Sequence, residues 1–380
     1  MRQLYLDHNA TTPVHPEVRD VLMACYKNDF GNPSSVHRYG RRTRVQVDEA
    51  RDTVATLIGS PAASIFFCSG GTEANNTIIK GVAEMRQDRG RHIITAPTEH
   101  PAVLDPCAYL AQHGFDVTYL PVDEAGVVDL QALEDALTDA TALVSIMHAN
   151  NETGVIQPIA DIARLAHQRG ALVHTDAVQS FGKIPINVDT LDIDFLSFSG
   201  HKLYAPKGIG GWYARTPTAL QPLLHGGHQE RGLRSGTESV PSIMALSKAC
   251  EIAARDMAAE WERLQQLQQR LEHGILESIP NARIQSANAS RLPNTSNIAF
   301  AEIEGETLLM SLDLQGVAIS TGSACSSGSL EPSHVLKAMA VPETHLYGAL
   351  RLSMGRSTTP DDIDYVLECL PDMVQHANLA

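Results

Sequence analysis

Lys202 is the first residue whose position suggests chemistry. It follows the apolar segment 195–199 in the sequence Ser199-Gly200-His201-Lys202, and a glycine-rich stretch follows at 207–211. A lysine that is desolvated after a buried strand has a lowered pKa and can act as a nucleophile. Ser199 and His201 could hold a phosphate beside it. A surface lysine in a turn is the competing interpretation, and the short spacing alone favours it.

Three further signals join Lys202. Asp176 follows an apolar segment and could pair with a protonated ring nitrogen, although Asp also favours helix N-caps. Gly71 and Thr72 open a predicted helix, whose exposed amides suit an anion. His100 could cover a ring or act as an acid or base. Each signal is weak alone, but together they suit pyridoxal phosphate, which needs a lysine partner and an acid near its pyridine nitrogen.

Cys325 lies in a small, polar, glycine-rich stretch at about 320–330, which predicts a mobile loop. A mobile, partly exposed thiol could reach a bound ligand and withdraw again, which a buried thiol could not do. The ordinary role of a cysteine is a small core residue, which suits Cys68 and Cys250 better. Cys325 could also be a transient iron–sulfur ligand, but it would need partners.

Composition limits the class of protein. The chain has 380 residues, with 29 Lys and Arg against 44 Asp and Glu, so the net charge is 29 − 44 = −15. This acidic surplus argues against binding to nucleic acid or to an anionic membrane. The six cysteines form no C-x-x-C pair, and no apolar run approaches the ~20 residues of a membrane helix. We therefore expect a cytoplasmic protein of two to three folding units with reduced thiols.

Alternating strands and helices must position these residues. Apolar segments predict strands at 92–95, 115–120, 142–147, 171–174 and 195–199, with helices between them. This order predicts an α/β fold with a mainly parallel sheet, whose ligands bind beyond the carboxyl ends of the strands. One long helix or two abutting helices are predicted at 241–276. A smaller α+β unit follows, with strands at 298–303, 317–319 and 349–353.

The motifs resemble those of the cysteine desulfurases of the NifS/IscS family, within the class V aminotransferases. The segments that carry the resemblance are 5–12, 31–35, 71–75, 98–103, 150–154, 174–179, 199–202, 234–237 and 322–334. They run in order along nearly the whole chain, and the segment around Cys325 resembles the nitrogen-fixation (NifS) branch most. One departure is His8, where the family usually has Asn. The resemblance implies the fold-type I architecture, with a seven-stranded sheet flanked by helices and a small α+β domain.

The resemblance also implies roles for individual residues. Catalysis would fall to Cys325, Lys202 and His100. Pyridoxal phosphate would be bound by Gly71, Thr72, His100, Asn151, Asp176, Gln179, Ser199, His201, Lys202 and Thr237. Thr237 would reach the phosphate of the other subunit of a homodimer. The substrate carboxylate would be held by Arg351, with Arg356 as the competing candidate, and Asn151 would orient the substrate.

The expected activity is removal of sulfur from L-cysteine, giving L-alanine and a persulfide on Cys325. An iron–sulfur scaffold of the NifU or IscU kind would accept the sulfur, and nitrogenase assembly is the expected use. The large domain should span 15–255, and the small domain 1–14 and 256–380. A selenocysteine lyase or a related class V β-lyase is the alternative enzyme. A non-catalytic scaffold would be expected to lack the lysine or the thiol, and both are present.

Overall fold

A computed structural model describes residues 2–321 and 331–377, so Cys325 lies outside the described residues. The helices are α1 (Pro16–Asn28), α2 (Arg38–Leu57), α3 (Gly71–Arg86), α4 (Pro101–Gln112), α5 (Leu130–Ala136), α6 (Ile159–Gln168), α7 (Val240–Ser278), α8 (Gly305–Leu314), α9 (His334–Ala338), α10 (Glu343–Leu346) and α11 (Pro360–Ala377). The strands are β1 (Leu4–Tyr5), β2 (Ile65–Cys68), β3 (His92–Thr95), β4 (Asp116–Tyr119), β5 (Thr141–Ser145), β6 (Leu172–Asp176), β7 (Phe195–Ser199), β8 (Gly210–Ala214), β9 (Ala282–Ile284), β10 (Thr295–Phe300), β11 (Val317–Ala318), β12 (Ser320–Thr321) and β13 (Ala349–Ser353).

The main sheet has seven strands in the order β2-β8-β7-β6-β5-β3-β4. The strands from β7 to β4 are parallel neighbours, and β8 runs antiparallel to both β7 and β2. The predicted mainly parallel seven-stranded sheet is confirmed. Strand β6 extends beyond its predicted end to Asp176, because Asp176 still pairs with Ser197 of β7.

Alternate residues of the main sheet enter two different cores, as the two-residue period of a strand requires. In β3, Ile94 joins the core beneath α2, α5, α6 and α7, whereas Ile93 joins the core beneath α3 and α4. The same alternation separates Phe67 from Phe66 in β2. Burial on both faces explains why these strands appear in the sequence as continuous apolar runs.

A second sheet, in the order β12-β13-β10-β9, is antiparallel throughout. It packs with α8 and α11 around a core of its own. Strand β1 pairs in parallel with β11, and Leu4 and Leu6 lie in this second core. Strands β1 and β11 form a small sheet of their own, and the N-terminal segment continues from β1 to the end of β7, where the Thr12 N–H donates to the carbonyl of His201 at 2.9 Å.

Helix α7 joins the two cores. It is one continuous helix of 39 residues, which decides between the two forms predicted for this region. Its first half enters the main core through residues such as Ala249, and its second half contributes Leu267 and Ile275 to the second core. The sequence places the boundary between the large and the small domain at residue 255, but α7 runs unbroken past this residue. The ranges of the two domains therefore stay predictions. None of the helices in residues 2–321 and 331–377 is long and apolar enough to cross a lipid bilayer.

The prediction for strand β10 was wrong in its bounds. The strand covers Thr295–Phe300 rather than 298–303, and the chain turns at Glu302, which has a positive φ of 59°. Its polar first half, Thr295 to Asn297, pairs with β13 and is buried. An apolar pattern cannot show such a strand start, because these polar side chains are buried by hydrogen bonding.

Candidate active site

A cleft opens where β5, β6 and β7 end and where α3 and α4 begin, the edge of the sheet at which the sequence predicts a ligand. Its volume is about 320 Å³, which is at the lower end of the range of ligand pockets. The cleft is lined by Asn9, Ala10, Gly71, Thr72, Asn75, His100, Ala102, Met147, Ala149, Asn151, Asp176, Val178, Gln179, Ser199, His201, Lys202 and Arg351. Every predicted cofactor or substrate residue among the described ones, except Thr237, therefore lies at this cleft.

Lys202 enters the cleft from a short 3-10 turn, Gly200–Lys202, directly after β7. Its Nζ donates hydrogen bonds to the backbone carbonyls of Asn9 and Ala10, the second at 2.7 Å. Both carbonyls belong to the N-terminal segment. The N-terminal segment, which also contributes Leu4 and Leu6 to the second core, therefore positions the Lys202 amine.

Asp176 is buried, and both of its carboxylate oxygens accept hydrogen bonds. The Nδ2 of Asn75 donates to Oδ2 at 2.6 Å, and the backbone N–H of Val178 donates to Oδ1 at 2.9 Å. A carboxylate has about four acceptor positions, so Asp176 can still accept from a protonated ring nitrogen. The sequence motif included Asn75 without giving it a role, and the structure shows that it orients the predicted acid.

A buried chain of hydrogen bonds supports Asn75. The hydroxyl of Ser197 donates to Asn75 Oδ1, and His174 bonds Ser197 Oγ at 3.2 Å and Ser145 Oγ at 2.8 Å. Burial lowers the pKa of His174 to about 3, so its imidazole is neutral. Because Asn75 Oδ1 accepts from Ser197, its NH₂ group must face Asp176. These residues fix the acid through three successive contacts, a second layer that no spacing in the sequence indicated.

His100 is the N-cap of α4. Its Nδ1 accepts a hydrogen bond from the backbone N–H of Ala102 at 3.0 Å. The neutral ring must then carry its proton on Nε2. Burial lowers the pKa of His100, the negative charge of Asp176 raises it, and the positive charges of Lys202 and His334 lower it further. A neutral imidazole is suited both to stacking on a ring and to proton transfer.

The N-terminus of α3 forms one end of the cleft. A Cβ on Gly71 would lie 2.6 Å from Val178 Cγ2, so only glycine allows this close approach. The free amides of the first helical turn, the hydroxyls of Thr72 and Ser199 and the imidazole of His201 together make a donor set suited to a phosphate. His201 is held through Nδ1 by Thr11 Oγ1 at 3.2 Å, and burial lowers its pKa to about 4.

Arg351, on β13, lines the cleft, whereas the competing candidate Arg356 does not. The side chain of Arg351 is buried, and its two terminal nitrogens donate to Asp7 Oδ1 at 2.8 Å and to the carbonyl of Asn151 at 3.1 Å. Its Nε–H has no partner among the described residues. Arg356 instead pairs with Asp256 at 2.6 Å. A buried guanidinium in the wall of the cleft suits a carboxylate ligand.

Two contacts hold the segment that follows residues 322–330 against the cleft. The Ser333 hydroxyl donates to Glu152 Oε2 at 2.6 Å, and His334 Nε2 bonds the backbone carbonyl of Glu99 at 2.9 Å. Burial raises the pKa of Glu152 to about 7, although Ser333 and the charge of Arg351 lower it. Burial also raises the pKa of Glu99 well above its usual range. The sequence analysis assigned neither carboxyl.

The remaining predicted residues lie elsewhere. Thr237 is exposed and does not line the cleft of its own chain. Burial raises the thiol pKa of Cys25, Cys68, Cys107 and Cys250, which suits inert core residues. In the described part of the chain, no cluster of three or more His, Cys, Asp and Glu could hold a metal ion. The metal role of Cys325 stays a prediction.

The donor set of the cleft fits pyridoxal phosphate. A lysine amine, an acid suited to a ring nitrogen, an anion cradle and a neutral imidazole converge on one space. Comparison with known proteins agrees. Residues 4–366 match the family described as aminotransferase class-V. The chain belongs to this family, among its NifS- and IscS-like members.

Related proteins of the class-V aminotransferase family align with nearly the whole chain. The chain is 48% identical over 374 residues to the cysteine desulfurase IscS of Dictyoglomus turgidum. The alignment covers 98% of this chain and 95% of that protein. A solved NifS-like protein is 40% identical, with a TM-score of 0.93 over 99% of this chain and 100% of that one. The structure of SspA in complex with cysteine is 36% identical, with a TM-score of 0.82 over 93% and 99%. The family fold is therefore the fold-type I architecture that the motifs implied.

Proposed function

We propose that this protein is a pyridoxal-phosphate-dependent cysteine desulfurase, which converts L-cysteine to L-alanine and leaves the sulfur as a persulfide on Cys325. The observation that carries the proposal is the convergence of Lys202, Asp176 and Arg351 on one cleft, in a chain similar throughout to cysteine desulfurases. The three residues come from the turn after β7, from β6 and from β13, so the cleft requires both sheets.

The cleft would bind the cofactor at several points. Lys202 would bond it covalently, Asp176 would keep its pyridine nitrogen protonated, and Gln179 would hydrogen-bond its phenolic oxygen. Gly71, Thr72, Ser199 and His201 would hold the phosphate, and His100 would cover the ring. When bound, pyridoxal phosphate supplies an electron sink for the Cα carbanion of the substrate.

The protein's own residues would act on L-cysteine in turn. Arg351 binds the substrate carboxylate and Asn151 orients the substrate, which brings Cα to the Lys202 amine. Lys202 takes the Cα proton. The Cys325 thiolate then attacks the substrate sulfur, so that a sulfur–sulfur bond forms while the carbon–sulfur bond breaks. The electron pair of the broken bond stays with Cβ, and protonation of Cβ together with return of a proton to Cα gives L-alanine.

The wider setting also belongs to the proposal. The exposed position of Thr237 favours a homodimer in which Thr237 binds the cofactor phosphate of the second copy. The persulfide would pass to an iron–sulfur scaffold protein of the NifU or IscU kind in the cytoplasm, for cluster assembly. Resemblance of the Cys325 segment to the NifS branch favours nitrogenase as the final recipient.

Two measurements on purified protein test the function: the visible absorbance of the bound cofactor, and L-alanine release from L-cysteine. Cys325→Ala should keep the absorbance and lose persulfide formation. Cys369→Ala is the matched control, because Cys369 is a half-buried thiol on α11, and it should keep full turnover. Undiminished desulfurase turnover in Cys325→Ala would refute the proposed sulfur carrier.

Substrate choice separates the proposed enzyme from a related lyase. L-Cysteine, L-selenocysteine and L-cysteine sulfinate should be compared by kcat/KM. A desulfurase should require Cys325 for L-cysteine. A preference for selenocysteine that does not depend on Cys325 would assign the protein to the lyases instead.

A further inference from the structure

Lys183 is a half-buried amine to which the proposed reaction gives no role. It lies four residues after Gln179, in the turns between β6 and β7, and its Nζ donates to Gln179 Oε1 at 3.2 Å. Gln179 lines the active-site cleft, whereas Lys183 lines a small cavity of about 60 Å³ behind Lys202, the rear cavity. Lys183 therefore contacts the back of a side chain whose front faces the cleft.

The orientation of the Gln179 amide follows from its two partners. A protonated amine has donors only, so the Gln179 atom that faces Lys183 must be the oxygen. The backbone carbonyl of Asn9 can only accept, and Gln179 Nε2 donates to it at 3.0 Å. The flipped amide would turn its oxygen to the Asn9 carbonyl and its NH₂ group to the Lys183 amine. Both partners therefore exclude the flipped form.

This orientation decides what Gln179 offers to a ligand. Its NH₂ group has two N–H donors, and the Asn9 carbonyl takes one of them. The second N–H has no acceptor among the described residues. The phenolic oxygen of pyridoxal phosphate is an acceptor that carries negative charge, so it requires the NH₂ group and would be repelled by the oxygen of a flipped amide.

The Asn9 carbonyl also places Gln179 beside the lysine that would bond the cofactor. Lys202 Nζ donates to the same carbonyl that accepts from Gln179 Nε2. Two donors from different turns thus converge on one backbone oxygen. The Gln179 amide and the Lys202 amine therefore lie close enough to act on neighbouring atoms of one ligand.

The charges around Lys183 favour an anionic ligand. Burial lowers the pKa of Lys183 to about 7, and the positive charges of Lys202, after β7, and Arg351, on β13, lower it further. Burial also lowers the pKa of His8, in the N-terminal segment, to about 4, and the charge of Lys183 adds to this effect. His8 is therefore neutral. The negative phosphate and phenolic oxygen of the cofactor would stabilise the ammonium form of Lys183.

We propose that Lys183 is a positioning residue for the cofactor: its amine holds Gln179 Oε1, so that the Gln179 NH₂ group donates to the phenolic oxygen of pyridoxal phosphate. This role rests on the proposed function, which assigns Gln179 to that oxygen. A donor at the phenolic oxygen weakens its attraction for the proton on the nitrogen that joins Lys202 to the cofactor. Lys183 should therefore lower the pH at which this nitrogen loses its proton.

A pH titration of the visible absorbance of the holoenzyme measures this effect. Lys183→Met removes the donor but keeps an unbranched side chain. Its absorbance midpoint should rise by about one pH unit, the tenfold change that one charge-assisted hydrogen bond supplies. Lys183→Arg keeps a cation with donors only and should keep the parent midpoint. Lys207→Met removes an exposed charge, which solvent screens, and should also keep it.

A second variant serves if Lys183→Met fails to fold. Lys183→Gln has a neutral amide that can face Gln179 with its oxygen or its nitrogen, so it no longer excludes the flipped amide. Its midpoint should also rise. Parent midpoints in both Lys183→Met and Lys183→Gln would overturn the proposal, and so would a shift in Lys183→Arg as large as that in Lys183→Met.

A double-mutant cycle tests whether Lys183 acts through Gln179. Gln179→Leu removes the amide, so in this background Lys183→Met should shift the midpoint by less than about half of its shift in the parent protein. Equal shifts in the two backgrounds would show that the charge of Lys183 acts directly on the cofactor. That result would overturn the positioning role.

Cofactor affinity gives a readout that needs no turnover. In equilibrium dialysis of the full-length protein against pyridoxal phosphate, Lys183→Met should raise the Kd about tenfold relative to the parent protein. A parent protein that binds no pyridoxal phosphate would refute the proposed function itself. A parent protein that binds it, with the same Kd and absorbance midpoint as Lys183→Met, would refute only the role of Lys183.

Discussion

The cleft in front of Lys202 and the cavity behind it differ in how the chain builds them. The front cleft is made at strand ends and helix starts, where short motifs such as Ser199-Gly200-His201-Lys202 lie in one turn of chain. The rear cavity is made by packing α7 against the N-terminal segment and the loop before β10, elements far apart in the sequence. Short sequence motifs can therefore predict the front cleft, but no motif indicates the rear cavity.

The polar groups of the two sites also differ. In front, Asp176 is fully supported through Asn75 and the hydrogen-bond chain behind it, so the acid is preorganised. At the rear, no donor among the described residues reaches the buried acceptors His8 Nε2 and Asn294 Oδ1. The difference teaches that hydrogen-bond support is concentrated on the predicted cofactor acid rather than spread evenly around Lys202.

The largest effect should come from Lys202, which both cavities share. Lys202→Ala should reduce L-alanine formation by at least about a thousandfold, because the covalent partner and the proton acceptor are lost together. It should also remove the absorbance of the covalently bound cofactor. Lys207→Ala, an exposed lysine in the same stretch, is the control. Substantial catalysis by Lys202→Ala would show that another group does the chemistry.

The next effect is on stability, and it has opposite signs for a buried carboxyl group and a buried imidazole. The Glu152 pKa is raised from 4.5 to about 7, so the folded state binds the proton more tightly than the unfolded state. Its contribution is present below pH 4.5 and is lost as pH rises through 7, by at most about 3 kcal/mol. Relative to the parent protein, Glu152→Gln should become more stable as pH rises over this window.

The stability contribution of His8 should depend on pH in the opposite direction. Its pKa is lowered from 6.5 to about 4, so its contribution is lost as pH falls between those values. Relative to the parent protein, His8→Asn should therefore become more stable as pH falls. Urea unfolding at several pH values measures both differences. The difference in free energy of unfolding between variant and parent should change with pH in opposite directions for Glu152→Gln and His8→Asn. The same direction in both variants would contradict the opposite pKa shifts of Glu152 and His8.

The two arginines test which cavity takes the substrate. Arg351→Lys keeps the charge but loses the planar guanidinium, so kcat/KM for L-cysteine should fall about a hundredfold. Arg356→Lys, at the rear cavity, should change it less than about threefold. Steady-state kinetics of the pair provides the measurement. A larger loss of kcat/KM in Arg356→Lys than in Arg351→Lys would indicate that the substrate carboxylate binds at the rear cavity instead.

The smallest effect should come from the support of Asp176. Asn75→Ala removes one charge-assisted hydrogen bond and should lower kcat about tenfold, while the cofactor stays bound. Asn76→Ala is the matched control, because Asn76 bonds only the backbone carbonyl of Thr72 within its own helix. Equal kinetics for the two variants would mean that the preorganisation of Asp176 does not matter for the reaction.

Much of the main sheet could be predicted because its strands are buried on both faces, so the apolar runs mark them directly. Strand β7 has its predicted bounds, and α7 covers the predicted helix with small extensions at both ends. Strand β10 was misplaced because its first residues are polar yet buried by pairing with β13. The roles of Asn75, Ser197 and His174 were missed because they act through one another and have no fixed spacing.

The sequence by itself predicted the chemistry proposed for this protein, because Lys202, Asp176, His100 and the segment around Cys325 together match the motifs of one enzyme family. Only the tertiary structure decided which residues meet. It placed Arg351 rather than Arg356 in the wall of the cleft, brought the Asn9 and Ala10 carbonyls to Lys202, and formed a second cavity behind that lysine. The physical reason is that motifs record local backbone geometry, whereas contacts between distant elements depend on how two cores pack around α7.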